Sequence, residues 1–191
     1  MATQQRDAIE ILTQDHREVE EMFVQLESLR GATGDDQRAR RKELVDQVTI
    51  ELVRHAVAEE TQVYPAVEKK VSEAEAERAK QEHAEAEKTM KRLERLEPDD
   101  ASFDDELAKL MGEIREHIAD EEGVMFAHMR DVMSAQELVE LGRKVDSVKK
   151  IAPTRPHPMT PNEPTIRKAA TPIVSLFDRM RDAVSGRGKK G

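Results

Sequence analysis

No cysteine and no tryptophan occur among the 191 residues of this chain, and tyrosine appears once. Without cysteine, disulfides, thiolate metal sites and thiol nucleophiles are excluded. The absence is compatible with a reducing compartment but does not require one. Glycine is scarce at eight residues, and the first 150 residues hold only two prolines, Pro65 and Pro98. That scarcity fits an all-helical chain. Long apolar runs are missing too. No stretch approaches the roughly 20 apolar residues of a membrane span, and the start, Met1 to Asp7, lacks the apolar run of a signal peptide. A soluble, cytoplasmic protein with no integral membrane segment is the expectation.

What the chain does have is charge and helix formers. Charged residues make up 37% of it, and Ala, Glu, Leu, Lys and Arg dominate, the profile of an all-α protein. The charge is uneven. Residues 1–130 hold 19 Lys+Arg against 33 Asp+Glu, a net −14, and residues 131–191 hold 12 against 7, a net +5. An acidic body argues against nucleic acid as partner; the basic tail leaves a weak electrostatic contact open.

Apolar spacing predicts four amphipathic helices with short joins. The first covers roughly 6–30, with Ile9, Leu12, Val19, Phe23 and Leu26 on one face. Gly31 to Gly34 stops it. The second covers roughly 36–70, carrying Leu44, Val48, Leu52, Val63 and Val67, and Pro65 should kink or locally break it. Ser72 caps a third, to about Leu96, with Ala76, Ala79, His83, Ala86, Met90 and Leu93 inward. Ser102 caps a fourth, roughly 103–130, with Phe103, Leu107, Leu110, Ile114, Val124 and Met125. Short joins imply antiparallel neighbours, an up-down-up-down four-helix bundle over residues 1–130. A C-terminal helical extension follows within 131–150. Residues 151–191 form a Pro-rich tail, five prolines between Pro153 and Pro164, then a short basic amphipathic stretch after Pro172. That stretch either docks on the bundle, frays, or contacts a membrane surface or partner.

Within the bundle the chain repeats itself. His55-Ala-Val-Ala-Glu59-Glu60 is echoed by His117-Ile-Ala-Asp-Glu121-Glu122. Asp15-His16-Arg-Glu18-Val-Glu20 is echoed more loosely by Glu82-His83-Ala-Glu85-Ala-Glu87. The apolar stripes run straight through these motifs. His16 and His83 fall on the inward faces of the first and third helices. His55 and Glu59, and His117 and Glu121, fall inward one turn apart on the second and fourth.

Burying one unpaired carboxylate costs several kcal/mol or forces protonation. Two carboxylates and four imidazoles aimed at one place therefore call for a cation. Two metal ions, each with two terminal histidines and sharing both glutamates, satisfy the set; imidazole suits Fe, Zn, Cu and Ni. The competing reading is a buried His–Glu hydrogen-bond network without metal.

The pattern His16 … His55-x3-Glu59 … His83 … His117-x3-Glu121 resembles the hemerythrin-like (HHE cation-binding) family over roughly residues 6–130. The resemblance implies a non-haem di-iron site, oxo- or hydroxo-bridged, with Glu59 and Glu121 as bridging carboxylates. It implies a small diatomic or peroxide ligand: hydrogen peroxide, O2 or NO. Two departures stand out. Oxygen carriers of the family have a fifth histidine at the place of Glu87, and they often bridge through an Asp at the spacing of Glu122. Glu121 fits the inward stripe better than Glu122, and Glu87 is expected in solvent. Stable oxygen carriage is thus less secure, and catalase-like peroxide disproportionation in stress defence leads. O2, NO or iron sensing or storage without turnover is the alternative, and a bundle stabilised by any divalent ion the third. Tyr64 is placed half a turn off the ligand line, as a packing or second-layer residue. Met125 and Phe126 are core or lid, His128 lies on the inward stripe beyond Glu121, and His157 is solvated.

Overall fold

The computed structural model describes residues 6–152. The Pro-rich segment, His157 and the amphipathic stretch after Pro172 lie outside the described residues.

α1 (Ala8–Ser28) starts on a reciprocal cap in which Asp7 accepts from the Glu10 amide and Glu10 accepts from the Asp7 amide. Gly31 and Gly34, at φ 70° and 110°, turn the chain where side chains are disfavoured. α2 (Asp35–Ala58) follows. It runs through a wide π-turn, Glu59–Val63, into α3 (Tyr64–Lys70). Ser72 caps α4 (Glu73–Leu93). Ser102 stands before α5 (Phe103–Asp120), but its backbone is helical (φ −93°, ψ −5°), so its hydroxyl makes no capping bond, contrary to expectation. A second π-turn, Glu121–Met125, leads into α6 (Phe126–Val132), and Ser134 with Glu137 caps α7 (Ala135–Lys149).

The two π-turns correct the sequence reading. Pro65 is not the cause of the break after Glu59. The same turn occurs after Glu121, where the residue matching Pro65 is Ala127. Pro65 sits in the first turn of α3, a position that tolerates proline. A π-turn inserts one residue into the helical repeat and rotates everything after it. Hence Val124 is 41% exposed rather than inward, and Met125 and Phe126 are buried in its place. Hence also His128 leaves the inward stripe and lies half-exposed against Glu75.

All four long helices of the bundle bury the stripe expected of them. α1 lies against α2, and α4 against α5. The interior forms two apolar clusters. One holds Leu12, Tyr64, Val67, Ala79, Phe126 and Met129 with Leu138, Leu141 and Val145 of α7. The other holds Val19, Phe23, Leu52, Ala86, Leu110 and Ile114. α1 and α4 run from the first cluster to the second, and α2 and α5 run back, so the bundle is up-down-up-down. The histidines stand between the clusters: His16 between Leu12 and Val19, His83 between Ala79 and Ala86. α7 lies outside the bundle against α1 and α2. Among the described residues no helix is long and apolar enough to cross a membrane.

Candidate metal centre

The polar layer between the clusters is built twice. His16 Nε2 lies 3.2 Å from His55 Nε2, with ring centroids 4.9 Å apart and planes at 58°. His83 Nε2 lies 3.1 Å from His117 Nε2, with centroids 4.6 Å apart and planes at 59°. The matching figures express the sequence repeat as a pseudo-twofold in space. All six candidates from the sequence, His16, His55, Glu59, His83, His117 and Glu121, are buried here.

Each imidazole is braced from behind by a carboxylate. His16 Nδ1 lies 2.9 Å from Glu122, His55 Nδ1 3.3 Å from Asp15, His83 Nδ1 3.2 Å from Glu60, and His117 Nδ1 2.8 Å from Glu82. An ionised carboxylate only accepts, so each Nδ1–H donates and each Nε2 faces inward. This is the arrangement that orients metal-ligating histidines and raises their basicity. Two Nε2 atoms at 3.1–3.2 Å then need a cation between their lone pairs, a proton or a metal.

The glutamates lie between the imidazole pairs. Glu59 Oε2 is 2.9 Å from His55 Nε2 and 3.4 Å from His83 Nε2. Glu121 Oε2 is 3.5 Å from both His16 Nε2 and His117 Nε2. Each carboxylate thus reaches one histidine of either pair. Glu59 Oε1 and Glu121 Oε2 are buried and accept no hydrogen bond. Buried carboxylate oxygens without donors are costly, and a cation is what such oxygens are suited to hold. Donor atoms of His16, His55, Glu59 and Glu121 lie within 4.8 Å of one another, as do those of Glu59, His83 and His117. The two groups share Glu59. Residues and geometry fit a metal-binding cluster.

The charges on these groups are tightly linked. Burial pulls the His55 imidazole down, but the Glu59 charge and the bonds with Asp15 and Glu59 overcome it and lift it to about 10. Burial likewise opposes charge on His83, and Glu59 and Glu60 raise it to about 9. Burial would raise Glu59, yet His55 and His83 hold it well below the usual carboxylate range.

Tyr64 joins the layer directly. Its hydroxyl lies 3.0 Å from Glu121 Oε1, 3.1 Å from His83 Nε2 and 3.4 Å from Glu59 Oε2. Counting ideal helical turns put it half a turn away; the π-turn brings it round. Burial, then Glu121 and Glu59, push its phenol well above the ordinary value. Glu122 does not join the centre but holds the back of His16. Glu87 is partly buried and pairs with Lys91 at 3.1 Å rather than standing free in solvent. None of the four backing carboxylates was read from the sequence as backing a histidine, and Glu122 was weighed only as an alternative to Glu121; yet all lie inside the repeats: Glu60 and Glu122 directly follow the inward glutamates, and Asp15 and Glu82 directly precede His16 and His83.

Against the histidines lies a cavity of about 30 Å³ walled by Val19, Leu52, Ala86, Met90 and Ile114. It has room for a diatomic or peroxide-sized molecule and not for a sugar or nucleotide.

A helical bundle with a duplicated His/Glu cluster at its centre defines a metal-binding class of protein. The Hemerythrin HHE cation binding domain family matches residues 7–129, and the chain belongs to that family. It is 28% identical over 171 residues to an uncharacterised hemerythrin-like protein of Schizosaccharomyces pombe, a match covering 88% of this chain and 81% of that protein. It is 25% identical over 128 residues to a DNA nickase of Nostoc, covering 67% of this chain but only 35% of that protein. A crystal structure of an HHE cation binding domain-containing protein from Mycobacterium kansasii shares the fold, with a TM-score of 0.65, 23% identity, and coverage of 76% of this chain and 86% of that one.

Proposed function

We propose that the chain holds two iron ions between His16, His55, Glu59, His83, His117 and Glu121 and turns over a small oxygen species, hydrogen peroxide first. The observation that carries this reading is the orientation of the four imidazoles. Every Nδ1 is tied to a carboxylate, and every Nε2 converges on two glutamates whose free oxygens lack donors. Iron bound there would supply redox exchange with peroxide, O2 or NO, with two electrons exchanged in the case of peroxide.

The remaining contributions belong to the chain. His16 and His55 would hold one ion and His83 and His117 the other, with Glu59 and Glu121 placed between the two pairs. Asp15, Glu60, Glu82 and Glu122 fix the rings. The apolar cavity admits a small neutral molecule and limits water. Tyr64 places one hydroxyl proton beside both glutamates. With no cysteine, the chain has no thiol pair of its own to deliver electrons. Disproportionation of two hydrogen peroxide molecules to O2 and two waters needs none, which favours it over peroxide reduction.

The test is iron analysis and an absorption spectrum of the purified protein, followed by peroxide addition with an oxygen electrode. Two irons per chain and oxygen evolution support the reading. Iron without evolution points to a sensing or storage module. Zinc in place of iron overturns the redox reading.

A further inference from the structure

Glu122, Glu82 and Asp15 each carry a basic partner of their own. Arg17 lies 2.8 Å from Glu122 behind His16, and Arg78 lies 3.6 Å from Glu82 behind His117. Lys149 bonds Asp15 behind His55. Arg17 and Arg78 come from the bundle helices that carry the repeat. Lys149 comes from α7, outside it.

The repeat explains the substitution. With His83 laid over His16, Arg78 falls on Ile11. Arg78 is 53% exposed, whereas Ile11 is 2% exposed and sits in the same apolar cluster as Leu138 and Leu141 of α7. Where α1 gives up its basic residue to receive a fifth helix, that helix returns a cation from its last turn. We propose that Lys149 is a positioning residue for the metal centre: it holds Asp15 against His55 and so tunes the His16/His55 ion alone. The inference rests on the two-metal reading above.

Asp15 needs the help. Its contact with His55 is, at 3.3 Å, the longest of the four, and Asp is one methylene shorter than Glu82 opposite. Asp15 and Lys149 are only 12% and 19% exposed, so the pair is partly shielded from water and salt. Lys149 is seated firmly. Gly142 brings α7 so close to Arg6, Asp7 and Ala8 that a Cβ would stand 2.8 Å from the Arg6 carbonyl oxygen. Val145 is fully buried one turn before Lys149. Without the lysine, Asp15 has one long bond to hold it, and the Nδ1–H of His55 loses a fixed acceptor.

The experiment uses the full chain loaded with ⁵⁷Fe, as wild type, Lys149→Met, Lys149→Arg and Arg78→Met. Mössbauer spectra report each iron, and a chelator reports release. Lys149→Met should free one of the two irons about tenfold faster and shift one of two quadrupole doublets. Lys149→Arg should restore both, and Arg78→Met should shift the other doublet. Should Lys149→Met not fold, Lys149→Gln carries the same expectation. Unchanged release and spectra in the lysine variants overturn the proposal while leaving two-iron binding intact. Equal loosening of both irons in step with a lower melting temperature also overturns it, because it marks a purely structural contact. Wild-type protein without two irons removes the two-metal reading and this inference with it.

Discussion

Tyr64 and Phe126 occupy the same place in the two copies of the repeat and act differently there. The Tyr64 hydroxyl reaches Glu121 at 3.0 Å, while the Phe126 ring stacks on His16 at 5.9 Å with planes 3° apart. A pseudo-twofold frame therefore holds an asymmetric centre, with a hydroxyl on the His83 side and only a ring face on the His16 side. Tyr64→Phe should make the two sides alike. Removing one buried hydrogen bond should lower stability by about 1–2 kcal/mol, and iron content should stay at the wild-type level because no proposed ligand is lost. Calorimetry and metal analysis check both. Loss of an iron would assign Tyr64 a ligand's role instead.

The shared glutamate is the next point to probe. Glu59 Oε2 lies 2.9 Å from His55 and 3.4 Å from His83, so removing it affects both halves. Glu59→Ala and His83→Ala should each bring iron well below two per chain. Both should also reduce stability by about 3–5 kcal/mol, since partners of a buried ionic cluster are left unpaired. Either variant retaining two irons per chain would refute the ligand assignment.

His55 and His83 stand at about 10 and about 9, both raised above the ordinary imidazole value of 6.5. A raised imidazole stabilises the fold fully below its unfolded value, and that contribution fades as pH climbs through the folded one. Chelator-treated protein should therefore melt lower at pH 10 than at pH 7. Ferrous iron added anaerobically at pH 7 must displace those protons, so about two should appear per chain in a weakly buffered indicator assay. Loading without proton release would contradict the coupling.

Much of this was readable in the chain because a buried stripe and a ligand line obey the same 3.6-residue period. Leu12, His16 and Val19, or Ala79, His83 and Ala86, reveal helix, face and site together. The reading fails where that period is interrupted. Nothing in Glu59–Val63 or Glu121–Met125 marks a π-turn, and Pro65 offered a false cause for the first. The misplacements after those turns have one origin: Val124 and His128 were counted inward, and Tyr64 half a turn off the ligand line, because one extra residue per turn went uncounted. The backing carboxylates are a different case. Glu60, Glu122, Asp15 and Glu82 lay inside the visible repeats, but a charged residue beside an inward one looks solvated until a neighbouring helix supplies its partner.

Two helical glycines should respond in opposite directions to the same change. Gly112 in α5 has nothing within 4 Å of where a Cβ would stand, so Gly112→Ala gains only the helix preference of alanine, up to about 1 kcal/mol of added stability. Gly142 in α7 would place its Cβ 2.8 Å from the Arg6 carbonyl oxygen, 2.9 Å from the Asp7 carbonyl carbon and 3.0 Å from the Ala8 amide nitrogen. All three are backbone atoms at the capped start of α1, which cannot swing aside as a side chain would. The same propensity gain is therefore outweighed by overpacking of about 1–3 kcal/mol, and α7 must lift away from α1. Denaturant unfolding of both variants decides it. Gly142→Ala as stable as Gly112→Ala would show that α7 is not seated against α1 as closely as the contact distances state.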